Sequence, residues 1–425
     1  MSEMHLYKIC HVNTNKDGDR FVGIRADSHG AQVCFPIGYR LPETDAEIRT
    51  DIRHLIQVLA EFTTKKERLL AVSQFNTPQT VDFPIHAYQS VLEYYFAIGG
   101  NYYVETERTY RASPAGKQDW ARTVRKHTPL IQNQSGIPSF IYTTYEVRAS
   151  RLNDTKLITQ INRFCVYEAF QKLGWLYVPY MPDSPGAHPD IRTSIAIVQQ
   201  KLAETNDDRK RMLFQGMKAM LEYMDEETLD RQFYYGVDDF QNVWEKLVDR
   251  AFGVRDKERY FPHSRWMLDY GDNKQMRALQ PDTIMIYEGK YYVLDAKFYK
   301  YGQSGIPTHL PDASSIHKQI TYGEYLEKHQ NVDVDKLFNA FLMPYNMAEN
   351  PFELRTIVGN IGEAVGDWRC NRKYYERIQG IVVDTRHLMY HYAGNPVKEK
   401  AELAACIEAV LRRGPVAQAG EKDVR

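Results

Sequence analysis

Two short β-rich runs joined by a two-residue turn constrain the fold of this chain more tightly than any other stretch. Thr283 to Tyr287 and Tyr291 to Leu294 flank Glu288-Gly289, and a glycine at such a turn between β-branched and aromatic residues predicts a tight hairpin. If Tyr287 pairs with Lys290 across the turn, the same register sets Asp282 opposite Asp295. Directly opposed residues of an antiparallel pair lie about 4.5–5.5 Å apart on one face. Lys297, two residues past Asp295, points to that face because strand side chains alternate.

Two carboxylates and one ammonium therefore converge. Opposed like charges destabilise a sheet, and two carboxylates at this range resist joint ionisation; a divalent cation relieves both. Oxygen-only ligation by Asp282 and Asp295, with the Ala296 carbonyl as a further donor and no Cys or His nearby, favours Mg²⁺ over zinc, with Mn²⁺ as substitute. Such an ion suits phosphodiester hydrolysis. Lys297 would stabilise the pentavalent charge and orient or deprotonate the attacking water. The same residues also fit a solvated sheet face with a surface salt bridge, so the context decides.

Upstream, Glu245 lies between Trp244 and Leu247 on an expected helix from Phe240 to Phe252, beside its apolar stripe, where it would add a third carboxylate or be an ordinary exposed helix acid. Downstream, Lys318, Gln319 and Tyr322 share a face of a helix expected over about Ser314 to Lys328, placed to order a phosphate or the strand bearing Lys297, or to be plain surface.

Composition narrows the function classes. The chain has 425 residues and a net charge of -1, with 43% hydrophobic and 26% charged residues. It therefore reads as an ordinary globular protein of two or three domains without a uniformly basic coat. Nucleic-acid contact must come from local patches. One lies between Arg108 and Lys126, where Arg108, Arg111, Lys117, Arg122, Arg125 and Lys126 face a single acid, Asp119, with Tyr110 and Trp120 interleaved. It suits a phosphate backbone or a partner subunit, or is a solvated loop. The five cysteines lie far apart with no paired zinc spacing, and neither a secretory signal nor an apolar span is apparent, so a reduced, cytoplasmic setting without membrane is expected.

Periodicity predicts helices near Glu47–Phe62, His86–Ile98, Asp154–Gly174, residues 191 to 225 and Val397–Arg413, the last stopped by Gly414-Pro415 with a loose tail beyond. Short strands are expected at Ala340–Met343 and Gly380–Val383. The Pro-rich stretch Pro182–Asp190 is the expected linker, dividing residues 1–190, a DNA- or partner-recognition region, from residues 191–425, a catalytic domain. Met212, Met217, Met220 and Met224 recur at helical spacing and are expected in the core. His263 and His317 are expected to be ordinary polar residues, and the glycine run from Gly359 to Asp367 lacks the setting of a phosphate loop.

The segments YGVDDFQNVWEKLVDRAFG from Tyr235, QPDTIMIYEGKYYVLDAKFYKYG from Gln280 and IHKQITYGEYL from Ile316 resemble the PD-(D/E)XK nuclease core of LlaJI-type restriction endonucleases, as do Gly116–Gln132 and Ile161–Tyr177. The resemblance spans about residues 85 to 390. It implies an α/β fold whose C-terminal core is a central mixed sheet flanked by helices, after an N-terminal mixed α+β recognition region. It also implies a DNA restriction subunit acting on double-stranded DNA with an McrB-like AAA+ GTPase. Residue by residue, Glu245 matches the helix acid, Asp282 the PD acid, Asp295 the second metal acid, Lys297 the catalytic lysine and Gln319 the helix glutamine. Neither Gly116-Lys117 nor Gly289-Lys290 is followed by Ser or Thr, so no Walker loop is present and a motor would come from a partner. Lys318 joins the basic residues as a candidate DNA contact. Two rivals stay open: a non-catalytic recognition or scaffold subunit retaining the fold, and a repair-type exonuclease.

Overall fold

The computed structural model describes residues 5–27, 30–71, 81–134, 137–186, 188–226, 233–367, 372–394 and 396–411. The chain forms two units: one combines residues 1–82 with 232–425, the other spans 83–231.

In the first unit, β1 (Cys10–Val12), β2 (Val22–Asp27) and β3 (Gly30–Phe35) precede a long helix, α1 (Asp45–Phe62). They form a sheet of order β1-β3-β2-β4, whose last member, β4 (Phe233–Val237), arrives from far along the chain and pairs antiparallel with β2 through Val22 and Val237. α1 starts at Thr44, whose side chain accepts from the Glu47 N–H, and buries Ile48, Ile52, Leu55, Ile56 and Leu59 on one stripe.

The second sheet of this unit follows α2 (Gln241–Phe252). Its strands are β5 (Thr283–Tyr287), β6 (Lys290–Ala296), β7 (Leu337–Tyr345), β8 (Val358–Val365) and β9 (Arg377–Asp384), in the order β5-β6-β7-β9-β8. The pair β5/β6 is antiparallel, β6/β7 and β7/β9 are parallel, and β9/β8 is antiparallel. The crossover between the parallel strands β6 and β7 carries α3 (Ala313–Gln330), as a parallel connection requires. α2, α3 and the last helix, α5 (Pro396–Leu411), pack on this sheet. An α/β architecture with a mixed sheet flanked by helices is thus present.

The expected division at residue 190 is not where the units part. Residues 1–82 are bound into the same unit as the second sheet: Asp51 of α1, fully buried, takes a bidentate pair from Arg386 of α4 (Thr385–His391), with Nε–Oδ2 and Nη2–Oδ1 both 2.9 Å. The Tyr390 hydroxyl donates to the same carboxylate, and Thr385 Oγ1 donates to the Ile37 carbonyl at 3.1 Å. The described residues of Pro182–Asp190 lack regular structure, yet the stretch lies within the second unit, where Asp190 caps the next helix by accepting from Thr193 N–H at 2.8 Å.

That second unit holds helices Ile85–Ala97, Leu157–Leu173, Ile191–Glu204 and Asp208–Glu226, with the two-stranded ribbons Glu105–Ser113/Tyr145–Asn153 and Leu130–Gln134/Ile137–Ile141. The single helix expected over 191–225 is two, broken where Thr205 turns extended and Asp207 Oδ1 accepts from Arg209 N–H at 3.0 Å. Met217 and Met220 are buried as expected and Met224 is half-buried, whereas Met212 is 56% exposed. Residues 412–425, including the expected stop at Gly414-Pro415 and the tail beyond, lie outside the described residues. Among the described residues no helix is long and apolar enough to cross a membrane.

Candidate active site

The hairpin forms in the expected register: Tyr287 pairs with Lys290 and Thr283 with Leu294. Glu288 and Gly289 take φ of 49° and 72°, the two positive values that a tight hairpin turn matching the strand twist requires. Asp282 directly precedes β5 and Asp295 lies near the end of β6. Alternation puts Ile284 and Val293 on one face, in a cluster with Ile320, Tyr322 and Leu326 of α3. Asp282, Asp295 and Lys297 have the same parity and continue that face.

Asp295 is 3% exposed, and its Oδ2 lies 2.9 Å from Lys297 Nζ. The contact is an ion pair, and among the described residues Oδ2 has no hydrogen-bond donor that meets the usual geometry. Asp282 Oδ2 accepts from the Ala296 N–H at 2.9 Å. Burial, then a hydrogen bond to Asp295 and the charges of Asp295 and Glu245, push the Asp282 carboxyl up to about 8, against the Ala296 bond. Burial works against the Lys297 ammonium, but the Asp295 carboxylate and then Asp282 outweigh it and hold its pKa above the ordinary lysine value. In the metal-free site Lys297 is therefore held as a cation.

Neighbouring elements hold this arrangement. Lys297 N–H and Trp244 Nε1 both donate to the Leu342 carbonyl, at 2.9 and 3.2 Å. Gln319, fully buried, donates from Nε2 to the Val293 carbonyl at 2.7 Å, pinning β6 two residues before Asp295. Of the three readings open to it, this contact matches the one that orders the strand. Asn339 Nδ2 donates to the Gln319 and Tyr375 carbonyls at 2.9 and 2.7 Å. Asn15 Nδ2 donates to the Phe298 carbonyl at 3.1 Å, and Lys257 Nζ to the Asp282 carbonyl at 2.5 Å. Nothing local in the sequence marks Asn15, Lys257 and Asn339 as such distant partners, and Trp244 reads there only as part of an apolar stripe.

Other expected members fall differently. Glu245 is half-buried and accepts from Gln241 Nε2 at 3.0 Å; its charge reaches Asp282. Among the described residues no group of three or more His, Cys, Asp or Glu is placed to hold a metal ion; the carboxylates that meet here are those of Asp282 and Asp295. That set still fits Mg²⁺, which binds through one or two carboxylates plus waters and substrate phosphate; the strained co-burial of two acids, one with an oxygen lacking an aligned donor, is what a cation relieves. Lys318 is exposed, its Nζ 5.7 Å from the centre of the buried Tyr322 ring, so Lys318 does not share the buried face of Gln319 and Tyr322. Among the described residues the Tyr322 hydroxyl has no hydrogen-bond partner.

The basic residues Arg108, Arg111, Lys117, Arg122, Arg125 and Lys126 are exposed on the second unit. They do not form a loop: Arg108 and Arg111 sit on the strand Glu105–Ser113, on opposite faces by parity, and Arg122, Arg125 and Lys126 on the helix Trp120–Lys126. The Arg122 guanidinium covers the Tyr110 ring at 3.7 Å, and Lys126 Nζ lies 3.3 Å from Glu146.

Comparison with known proteins adds three findings. No curated protein matches the chain in sequence. A solved structure similar to it is the refined half-complex from the tetradecameric assembly of Thermococcus gammatolerans McrB AAA+ hexamers with bound McrC, 12% identical, covering 91% of this chain and 83% of that one with a TM-score of 0.36. The family model of the LlaJI restriction endonuclease matches residues 21–360, so likeness begins well before the expected residue 85 and takes in β2, β3 and α1. With four-fifths of its length so matched, the chain belongs to the LlaJI restriction endonuclease family.

Proposed function

We infer that the protein is the Mg²⁺-dependent DNA endonuclease subunit of an anti-phage restriction system, its second sheet being a PD-(D/E)XK core. The observation that carries this is the convergence of Asp282, Asp295 and Lys297 on one hairpin face, with the Asp295–Lys297 pair at 2.9 Å and the Asp282 carboxyl raised by its neighbours.

Asp282, Asp295 and the Ala296 carbonyl would hold the cation, Glu245 adding negative charge. Bound there, the cation supplies positive charge that polarises the scissile phosphate and acidifies water. Lys297, kept as an ammonium, donates to the phosphate oxygens on which charge accumulates in the transition state. Gln319 holds β6 in place so that both groups keep their spacing. The exposed cations of the second unit and Lys318 contact the DNA backbone or a partner subunit. Because the sequence holds no Walker loop, nucleotide-driven movement on DNA is assigned to an McrB-like AAA+ GTPase.

The rival reading is a non-catalytic scaffold that keeps the fold and delivers DNA. Nicking of supercoiled plasmid with Mg²⁺ or Mn²⁺, with and without an McrB-like subunit and GTP, separates the two. Lys297→Ala and Asp282→Ala are expected to keep fold and DNA affinity while losing about 10²–10³-fold or more in cleavage, as when a charge-stabilising group is removed elsewhere. Full cleavage by either variant ends the assignment.

A further inference from the structure

Between α2 and the acidic pair the chain makes a small ribbon that the site does not use. Arg265–Trp266 pairs antiparallel with Lys274–Gln275, and the stem continues through Met276 N–H to the Ser264 carbonyl and Leu279 N–H to the Pro262 carbonyl, both 2.9 Å. The tip is shaped by Leu268 N–H donating to Asn273 Oδ1 at 3.1 Å and by Gly271 at φ 89°.

The ribbon leaves large apolar side chains in water. Trp266 is 60% exposed, Met267 71%, Leu268 45% and Tyr270 93%. Exposed apolar side chains gathered on one small element mark a surface meant to be covered. Its stem also carries Arg265, Lys274 and Arg277, none in an ion pair among the described residues; Arg277 donates to Gln280 Oε1 at 3.3 Å. The acids Asp269 and Asp272 are confined to the tip.

Resting on the nuclease reading above, we propose that this ribbon is a DNA-contacting arm that enters a groove of the duplex beside the scissile phosphate. Only Gln280 and Pro281 separate Leu279 from Asp282, a reach of at most about 11 Å, so DNA seated on the acidic pair passes the stem. A two-stranded ribbon fits the major groove. Cations along the stem meet phosphates on the groove walls, while the tip, with Tyr270 and two carboxylates that can accept from the cytosine amino group, meets base edges. A protein-binding core is depleted of charge; here a charged residue follows every few apolar ones.

The test uses the full chain, with Ca²⁺ replacing Mg²⁺ so that a fluorescein-labelled duplex is bound uncut, and anisotropy read against salt. The triple variant Arg265→Ala/Lys274→Ala/Arg277→Ala is expected to weaken binding and lower the salt slope by about 3, one per phosphate contact. The pair Trp266→Ala/Tyr270→Ala is expected to lose about tenfold or more at an unchanged slope. Both should melt like the parent, since the replaced side chains are exposed. Unchanged affinity and slope in both variants overturns the arm, as does a loss confined to association with a protein partner. A parent that binds DNA but never cuts removes the nuclease reading and leaves the arm supported if these shifts appear. Parental cutting by arm variants of parental affinity removes the arm alone.

Discussion

Two nine-residue strands show how differently one chain uses extended backbone. β7, LFNAFLMPY, is buried at every position, a near-continuous apolar run between two parallel neighbours. The strand Glu105–Ser113, ETERTYRAS, has no fully buried residue and pairs with a single partner. The first gives the acidic pair a rigid backing, since Leu342 of β7 accepts from both Lys297 and Trp244. The second is a display surface whose arginines face outward. Substitutions should therefore be felt as stability in one region and as binding in the other.

The largest effect is expected at Trp244. Trp244→Ala should cost about 3–5 kcal/mol in urea unfolding, because the indole is fully buried and also holds the Leu342 carbonyl; a loss under about 1 kcal/mol would break the contrast. Asp51→Ala should cost about 3 kcal/mol, the lower end for a broken buried pair, since Arg386 remains one-third exposed. Parental stability would show that residues 1–82 are not fastened to α4. Gln319→Ala, which frees the Val293 carbonyl, should cost about 1–3 kcal/mol and lower kcat more than KM. An effect on KM alone would move Gln319 from the support to the substrate surface.

Asp282 supplies a pH-dependent sharpening. In metal-free protein its folded carboxyl keeps its proton up to about 8, while the unfolded chain releases it near the ordinary 3.8. Folding stability therefore falls as pH rises through that window and is unaffected by this group below it. Asp282→Asn should match the parent in acid and exceed it at the upper end; parallel curves would contradict the coupled pair. The smallest effect is expected on the ribbon: Arg108→Ala should change stability by less than about 0.5 kcal/mol, yet lower the salt slope of DNA binding by about 1.

What was legible in the sequence was local. Glu288-Gly289 dictates a turn, the turn dictates the register, and the register brings Asp282, Asp295 and Lys297 to one face. The helices Asp45–Phe62, Gln241–Phe252 and Ala313–Gln330 follow from their apolar stripes. What escaped depends on partners distant in sequence. β8 reads as a glycine-rich run with little apolar signal because it is an edge strand, completed only by pairing with β9, and it carries a bulge between Asn360 and Gly362. β2 finds its neighbour at Val237, and no periodicity in residues 22–27 announces it. The basic stretch reads as one patch because charge is visible in a sequence, whereas the strand parity that parts Arg108 from Arg111 is not.

The first sheet closes only when β4 joins β2. Asp82 and Tyr235 both touch Arg68, at 2.6 Å from its guanidinium and beneath it at 5.2 Å, so departure and return share one side chain. On a ribosome adding roughly 5–20 residues per second, the early strands emerge well before their final neighbour exists. While residues 83–231 are being made, β2 keeps an unmatched edge. During synthesis that edge is the stretch most open to capture by another nascent chain, and the interval would lengthen with anything added between Asp82 and Phe233.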